Sequence, residues 1–171
     1  MGTNRIEFVA KPTARNALRF VVCLLLCFGV SITGALFTTS DSREGWYAQL
    51  EKPAITPPDW LFAPVWTVLY FLMAVSAFLV WRKGLKSPDV KLALIIFLVQ
   101  LALNAAWTPL FFGLHLIGWA LVDIVAMLIA IIATIFAFLR VSKPAAALLI
   151  PYLLWTAFAT ILNVRLYQLN P

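Results

Sequence analysis

The sequence contains few charged residues, few cysteines and a single histidine. Only 12% of its 171 residues are charged and 63% are hydrophobic, whereas about a quarter of the residues in a soluble domain are charged. The mean hydropathy is +0.95. This composition excludes a soluble domain, a fibrous protein and a disordered chain, and it indicates an integral membrane protein.

Several kinds of site are excluded by what is missing. Cys23 and Cys27 lie four residues apart in an apolar run, where they would share a helix face, so we expect no disulfide. His115 is the only histidine, and no cluster of histidine, cysteine and carboxylate has the spacing of metal ligands. No nucleophile–base pair or phosphate loop occurs. The net charge of +6 is spread along the ends of apolar segments, so we expect no nucleic-acid binding.

Five apolar segments are long enough to cross the hydrocarbon core, which takes about 20 helical residues. They are residues 18–38, 62–82, 91–112, 115–140 and 144–167. The first follows a basic N-terminus, but its length and the lack of a cleavage site predict a retained span and not a signal peptide. The sequence therefore predicts an all-α integral membrane protein. We expect one domain, residues 1–171, built as a five-helix bundle with a long structured loop between the first two helices.

Helix-breaking residues predict local detail within this bundle. Pro109 is expected to bend the end of the third span, and Gly113 to form a tight turn before the fourth. Pro151 predicts a kink inside the fifth span.

The basic residues are divided unequally between the two ends of the bundle. The N-terminus, the 82–91 loop and the 140–143 turn carry ten of the 13 Lys and Arg residues, and the opposite flanks carry three. Because cytoplasmic flanks are enriched in Lys and Arg, this predicts a cytoplasmic N-terminus. The C-terminus and the 39–60 loop would then lie on the outer side. Which membrane holds the protein is left open.

The connection formed by residues 39–60 is unusually long and apolar for a loop. Its large apolar side chains, which are costly to leave in water, are Trp46, Tyr47, Leu50, Ile55 and Trp60. Three prolines stiffen it and lower the entropy lost on ordering. Two interpretations fit: an aromatic belt at the membrane interface, or a structured lid over an opening in the bundle.

Polar and aromatic residues recur on single faces of the spans. The three faces are Trp66 and Tyr70 on the second span, Gln100, Asn104 and Trp107 on the third, and Trp155, Ala159 and Asn163 on the fifth. Polar side chains in hydrocarbon tend to face the bundle interior, where either interhelical hydrogen bonds or a binding pocket would explain them. Aromatic walls with a few amide donors suit a planar, largely apolar ligand. Asp123 is the only acid within a span, and it either bonds neighbouring backbone or Trp N–H groups or relays protons.

Three dense motifs carry a family resemblance. The first is Trp46-Tyr47, Leu50, Lys52-Pro53, Pro57-Pro58, Trp60, Phe62, Val65-Trp66-Thr67 and Leu69-Tyr70. The second is Gln100, Leu103-Asn104, Trp107 and Phe111-Phe112, and the third is Pro151-Tyr152, Trp155, Phe158-Ala159-Thr160 and Leu162-Asn163. With Asp123, they make the chain resemble the TspO/MBR family, the tryptophan-rich sensory proteins related to the mitochondrial translocator protein or peripheral benzodiazepine receptor.

The resemblance implies a five-helix bundle, commonly dimeric, that binds porphyrins and benzodiazepine-type synthetic ligands beneath the first loop. No cofactor is implied, and protoporphyrin IX or a related tetrapyrrole would be the ligand. The pocket residues carried over by position are Trp46, Tyr47, Pro58, Trp66, Tyr70, Asn104, Trp107, Trp155 and Ala159. To these predicted ligand-binding residues we add Gln100 and Asp123. For a homodimer, Ala102 and Ala106 lie one turn apart on the third span and would allow close helix approach.

Three functions follow as hypotheses. The leading one is a membrane receptor or carrier for porphyrins and drug-like hydrophobic ligands, serving tetrapyrrole transport, sensing or stress regulation, with Arg43 or Lys52 near the propionates. The first alternative is an enzyme that degrades protoporphyrin IX in light, because Trp155 matches a tryptophan linked to that reaction in bacterial relatives. The second is a proton-coupled transporter that uses Asp123. The mammalian sterol motif is not matched, since Val164 and Gln168 occupy its positions.

Overall fold

The computed structural model describes residues 12–38 and 45–170, most of which are helical. The α-helices are α1 (Pro12–Thr38), α2 (Trp46–Gln49), α3 (Phe62–Trp81), α4 (Pro88–Thr108), α5 (Ile117–Val141), α6 (Lys143–Leu148) and α7 (Ile150–Leu169). A 3₁₀ turn, Asp59–Leu61, precedes α3, and a π-helical turn, Pro109–Gly113, extends α4. The part of the loop that contains Arg43 lies outside the described residues.

Five helical stretches are long and apolar enough to cross a membrane. They are Thr13–Thr38, Asp59–Trp81, Pro88–Gly113, Ile117–Val141 and Lys143–Leu169. Large apolar side chains such as Leu25, Ile129 and Leu154 are exposed on their outer faces, as expected where the surrounding solvent is lipid. The predicted all-α, five-span membrane architecture is confirmed.

The spans pack as a closed ring. α1 contacts α3 and α4, α5 contacts α4 and α7, and α6 contacts α3 and α5. The order around the ring is therefore α1, α3, α6 with α7, α5 and α4. α1 approaches α4 at Gly34, where an added Cβ would make a van der Waals contact with Thr108 Oγ1 at 3.4 Å. On the opposite side of the ring, the buried Ser76 hydroxyl donates to the Ala145 carbonyl at 2.7 Å and joins α3 to α6.

The local interruptions occur close to the predicted positions. The fifth span is divided between α6 and α7 at Leu149, just before Pro151, because proline cannot donate to the preceding turn. The third span ends in the wide π-helical turn that begins at Pro109. The left-handed residue of the connection is His115, with a φ of 57°. Gly113 instead provides space, because a Cβ there would lie 3.0 Å from the Phe37 ring.

Three further sequence predictions concern the cysteines, the dimer and the orientation in the membrane. Cys23 and Cys27 are buried and unpaired, which confirms that they form no disulfide. Ala102 is exposed and Ala106 is half-buried on α4. The homodimer through these alanines and the cytoplasmic N-terminus stay predictions.

Candidate ligand-binding site

A buried hydrogen-bond network joins α3, α4 and α7. Tyr70 OH donates to Asn104 Oδ1 at 2.7 Å, and Asn104 Nδ2 donates to Tyr152 OH at 3.1 Å. Tyr152 OH in turn donates to Gln100 Oε1 at 3.0 Å. All four side chains are buried. Interhelical hydrogen bonding is therefore confirmed for Gln100 and Asn104.

Aromatic rings line the boundary between α3 and α7 beside this network. The Trp66 ring centroid lies 5.5 Å from that of Tyr70 and 6.2 Å from that of Tyr152. One turn away, the Trp155 centroid lies 5.8 Å from Phe62, and both indoles are only half-buried. Because these rings already contact one another, a planar guest has to separate them in order to enter.

Several buried polar atoms of the described residues have no hydrogen-bond partner. They include Gln100 Nε2, Trp107 Nε1, Trp155 Nε1, Asp123 Oδ2, and both Nδ2 and Oδ1 of Asn163. The prediction of an interhelical hydrogen bond was wrong for Asn163, because both of its side-chain polar atoms are unpaired. For Asp123, hydrogen bonding to backbone or tryptophan N–H groups stays a prediction. An unpaired buried polar group costs about 1–3 kcal/mol and therefore needs an explanation.

Asp123 and Asn163 lie at nearly the same depth in the bundle. α5 and α7 run antiparallel, with Gly118 opposite Tyr167, whose Cε2 would lie 3.2 Å from a glycine Cβ. Asp123 follows Gly118 by five residues and Asn163 precedes Tyr167 by four. At 1.5 Å per residue, the two levels differ by about 2 Å. The unpaired polar atoms of α5 and α7 therefore lie at nearly the same depth in the bundle, below the end that α2 covers.

The segment containing α2 lies against the ends of α4, α5 and α7. Trp46 stacks on His115 with ring centroids 4.3 Å apart, and Tyr47 lies 5.4 Å from the Phe112 ring. An apolar cluster stabilises this contact. Its buried members are Tyr47, Phe111, Ile117, Ala120 and Leu166, and the half-buried residues packed against them are Trp46, Leu50, Trp107, Leu110 and Phe112. Trp46 and Tyr47 are therefore packed on protein, whereas Trp60 is 72% exposed, and Trp107 lies between this cluster and the interior.

Asn170 fastens the same segment to the end of α7. Its Oδ1 accepts from the Glu51 backbone N–H at 3.0 Å, and its Nδ2 donates to the Glu51 carbonyl at 3.1 Å. The Lys52 Nζ lies 4.2 Å from the Tyr47 ring centroid, which is cation–π geometry. Burial and then the nearby Asp59 charge raise the pKa of the Tyr47 phenol. This tyrosine therefore stays neutral in the physiological range and can pack in the cluster.

The remaining predicted residues occupy the edges of the site. Pro58 is exposed directly before the 3₁₀ turn, and Ala159 is half-buried on the same α7 face as Trp155. Two apolar surface grooves, of about 580 Å³ and 420 Å³, lie elsewhere and contain none of the predicted ligand-binding residues. The fully buried Tyr152 was missed as a site residue, although its spacing from Trp155 and Ala159 places it on their helix face.

Comparison with known proteins shows similarity over nearly the whole chain. The model of the TspO/MBR family matches residues 22–169. The chain is 43% identical to a tryptophan-rich protein TspO of Chlorobaculum tepidum, over 92% of this chain and 99% of that protein. It is 45% identical to a translocator protein of Bos taurus, over 80% of this chain and 81% of the relative. A tryptophan-rich sensory protein of Cereibacter sphaeroides is 37% identical over 88% of this chain and 90% of its own length. The five-span fold and these matches together establish that the chain belongs to the TspO/MBR family.

Proposed function

We propose that the protein is a membrane receptor or carrier that binds protoporphyrin IX or a related tetrapyrrole, together with drug-like hydrophobic ligands, in the interior beneath α2. Family membership supports a membrane receptor or sensor role. The observation that carries the proposal is the group of unpaired buried polar atoms among tryptophans at that end of the bundle. An interior built only for packing would leave these atoms paired or replace them by apolar groups.

The chemistry of the lining suits a flat aromatic guest. Trp66 and Trp155 offer indole faces for stacking, while Gln100 Nε2 and the Trp107 and Trp155 N–H groups are donors without acceptors. Protoporphyrin contains no metal, so it needs no axial ligand from a histidine or cysteine. Its carboxylates would lie near the outer rim, where Lys52 supplies a cation. Entry requires the α2 segment to lift, because its cluster closes this end.

Titration of the protein in lipid nanodiscs with protoporphyrin IX tests the proposal. We expect saturable quenching of tryptophan fluorescence and a shift of the porphyrin absorption band. Trp66→Phe and Trp155→Phe should each weaken binding by about 2- to 10-fold, because phenylalanine can still stack but loses the larger indole face and the N–H donor, together about 0.5–1.5 kcal/mol.

The matched control is Trp119→Phe, because Trp119 is 65% exposed on the outer face of α5. Its affinity should equal that of the unmodified protein. Quenching that never saturates, or an equal loss of affinity in the Trp119→Phe variant, would show that porphyrin partitions into lipid and does not occupy the interior.

A second candidate function is photo-oxidative degradation of the bound porphyrin, with dissolved dioxygen as the oxidant and Trp155 as a redox partner. It is favoured by the Trp155 indole, whose N–H has no partner although the ring is held between Phe62 and Phe158. Illumination of the complex distinguishes the two functions. Loss of porphyrin absorbance that is abolished in Trp155→Phe while binding persists would favour degradation, and an unchanged rate in that variant would reject it.

A further inference from the structure

An apolar groove opens between α1, α3 and α4 in the half of the bundle remote from α2. Its volume is about 420 Å³, within the range of small-molecule sites of about 300–1,000 Å³. Cys23, Ala77 and Phe97 form a buried floor, and Leu26, Ile95 and Leu98 form an exposed rim. A groove with this lining faces the hydrocarbon of the bilayer and has to be filled by an apolar chain, because water there would find no hydrogen-bond partners.

Cations gather at the mouth of this groove. Lys91 lines it and is exposed, and Trp81 lies at the end of α3 with the Arg19 guanidinium 5.9 Å from its ring centroid. The loop between α3 and α4 carries three further cations at the same end of the bundle, none of which lines the groove, and Asp89 is the only acid in residues 82–91. The mouth therefore combines positive charge with an interfacial indole, directly above an apolar floor.

We propose that this groove is a binding site for an anionic phospholipid of the adjoining leaflet. One acyl chain lies along Cys23, Ala77 and Phe97, and the phosphate lies between Arg19 and Lys91. The site depends on both its apolar floor and its cations. The apolar floor selects a lipid chain over a soluble anion, and the paired cations select an anionic headgroup over a zwitterionic one, as at basic pockets between transmembrane helices. This inference is independent of the porphyrin site, which lies at the other end of the bundle.

The test uses the protein in nanodiscs of phosphatidylcholine that contain increasing amounts of chain-brominated phosphatidylglycerol. Bromine quenches nearby indoles, and subtraction of the Trp81→Phe signal isolates Trp81. We expect brominated phosphatidylglycerol to quench Trp81 at a several-fold lower mole fraction than brominated phosphatidylcholine does. In the double variant Arg19→Gln with Lys91→Gln, this preference should be lost, so that the two brominated lipids quench Trp81 at nearly the same mole fraction.

The matched control removes the same charge from the same end of the bundle. Lys83→Gln with Lys86→Gln changes two exposed loop cations that do not line the groove, and the preference should persist. Equal quenching by the two brominated lipids in the unmodified protein would overturn the proposal. So would an equal loss in both double variants, which would indicate a general surface potential. Displacement of the lipid by soluble glycerol phosphate would show a headgroup site without a role for the groove. Helical circular dichroism checks that each variant is folded.

Discussion

Replacement of Asn163 by leucine is expected to stabilise the protein, whereas the same replacement at Asn104 is expected to destabilise it. Asn163 is 1% exposed and neither of its side-chain polar atoms has a partner. Leucine has a similar volume and no polar group to bury. The variant should therefore recover part of the roughly 1–3 kcal/mol that an unpaired buried group costs. Its unfolding midpoint should rise by about 2–4 °C for each kcal/mol recovered.

Asn104→Leu is the matched control, because the substitution is the same and only the hydrogen bonding of the replaced amide differs. Asn104 accepts from Tyr70 and donates to Tyr152. Its loss should cost about 0.6–2 kcal/mol for each bond and leave two buried hydroxyl groups short of a partner. Thermal unfolding of both variants in one detergent, without ligand, gives the comparison. Destabilisation by Asn163→Leu would mean that its amide is paired in the folded protein.

Porphyrin binding by the same variant separates stability from function. If the unpaired Asn163 amide serves a guest, Asn163→Leu should bind protoporphyrin IX about 5- to 10-fold more weakly while it unfolds at a higher temperature. A gain of stability with unchanged affinity would place Asn163 outside the site. A rise in stability together with a loss of binding is the expected signature of a polar group that is kept for a ligand.

The fold could be predicted from the sequence because the bilayer sets the length of a span. Each of the five apolar runs is helical, although α1 begins already at Pro12, α4 continues into the π-helical turn up to Gly113, and the fifth run is divided between α6 and α7. Periodicity also placed Gln100 and Asn104 together on one face. The break before Pro151 could be predicted from the proline itself. The left-handed conformation of His115 could not, because it depends on how the chain connects α4 to α5.

The pairing inside the site could not be predicted in the same way. Asn104 and Asn163 are both amides on inward faces, yet only Asn104 is hydrogen-bonded. The difference depends on the order of the helices around the ring, which brings Tyr70 and Tyr152 to Asn104. Periodicity within one helix carries no information about that order. The contact between Asn170 and Glu51 was missed for a related reason, since it joins residues 119 apart and uses only backbone atoms of Glu51.

Replacement of Asn170 by alanine is expected to speed both opening of the α2 segment and release of bound porphyrin. The substitution removes two hydrogen bonds to Glu51, each contributing about 0.5–1.5 kcal/mol, so opening should become roughly 5- to 150-fold more frequent. The aromatic cluster around Tyr47 and Phe111 remains, so the segment should still dock.

Hydrogen exchange at the Glu51 amide reports this opening directly, because that N–H donates to Asn170 Oδ1. Displacement of protoporphyrin IX by an excess of competing ligand reports its release. Gln168→Ala is the control, since the exposed Gln168 side chain bonds only to Arg165 and should change neither rate. Unchanged Glu51 exchange in Asn170→Ala would show that the contact does not hold the segment. Faster exchange with unchanged release would show that porphyrin leaves by another route, whereas a parallel increase in both rates would identify the α2 segment as the lid that gates the site.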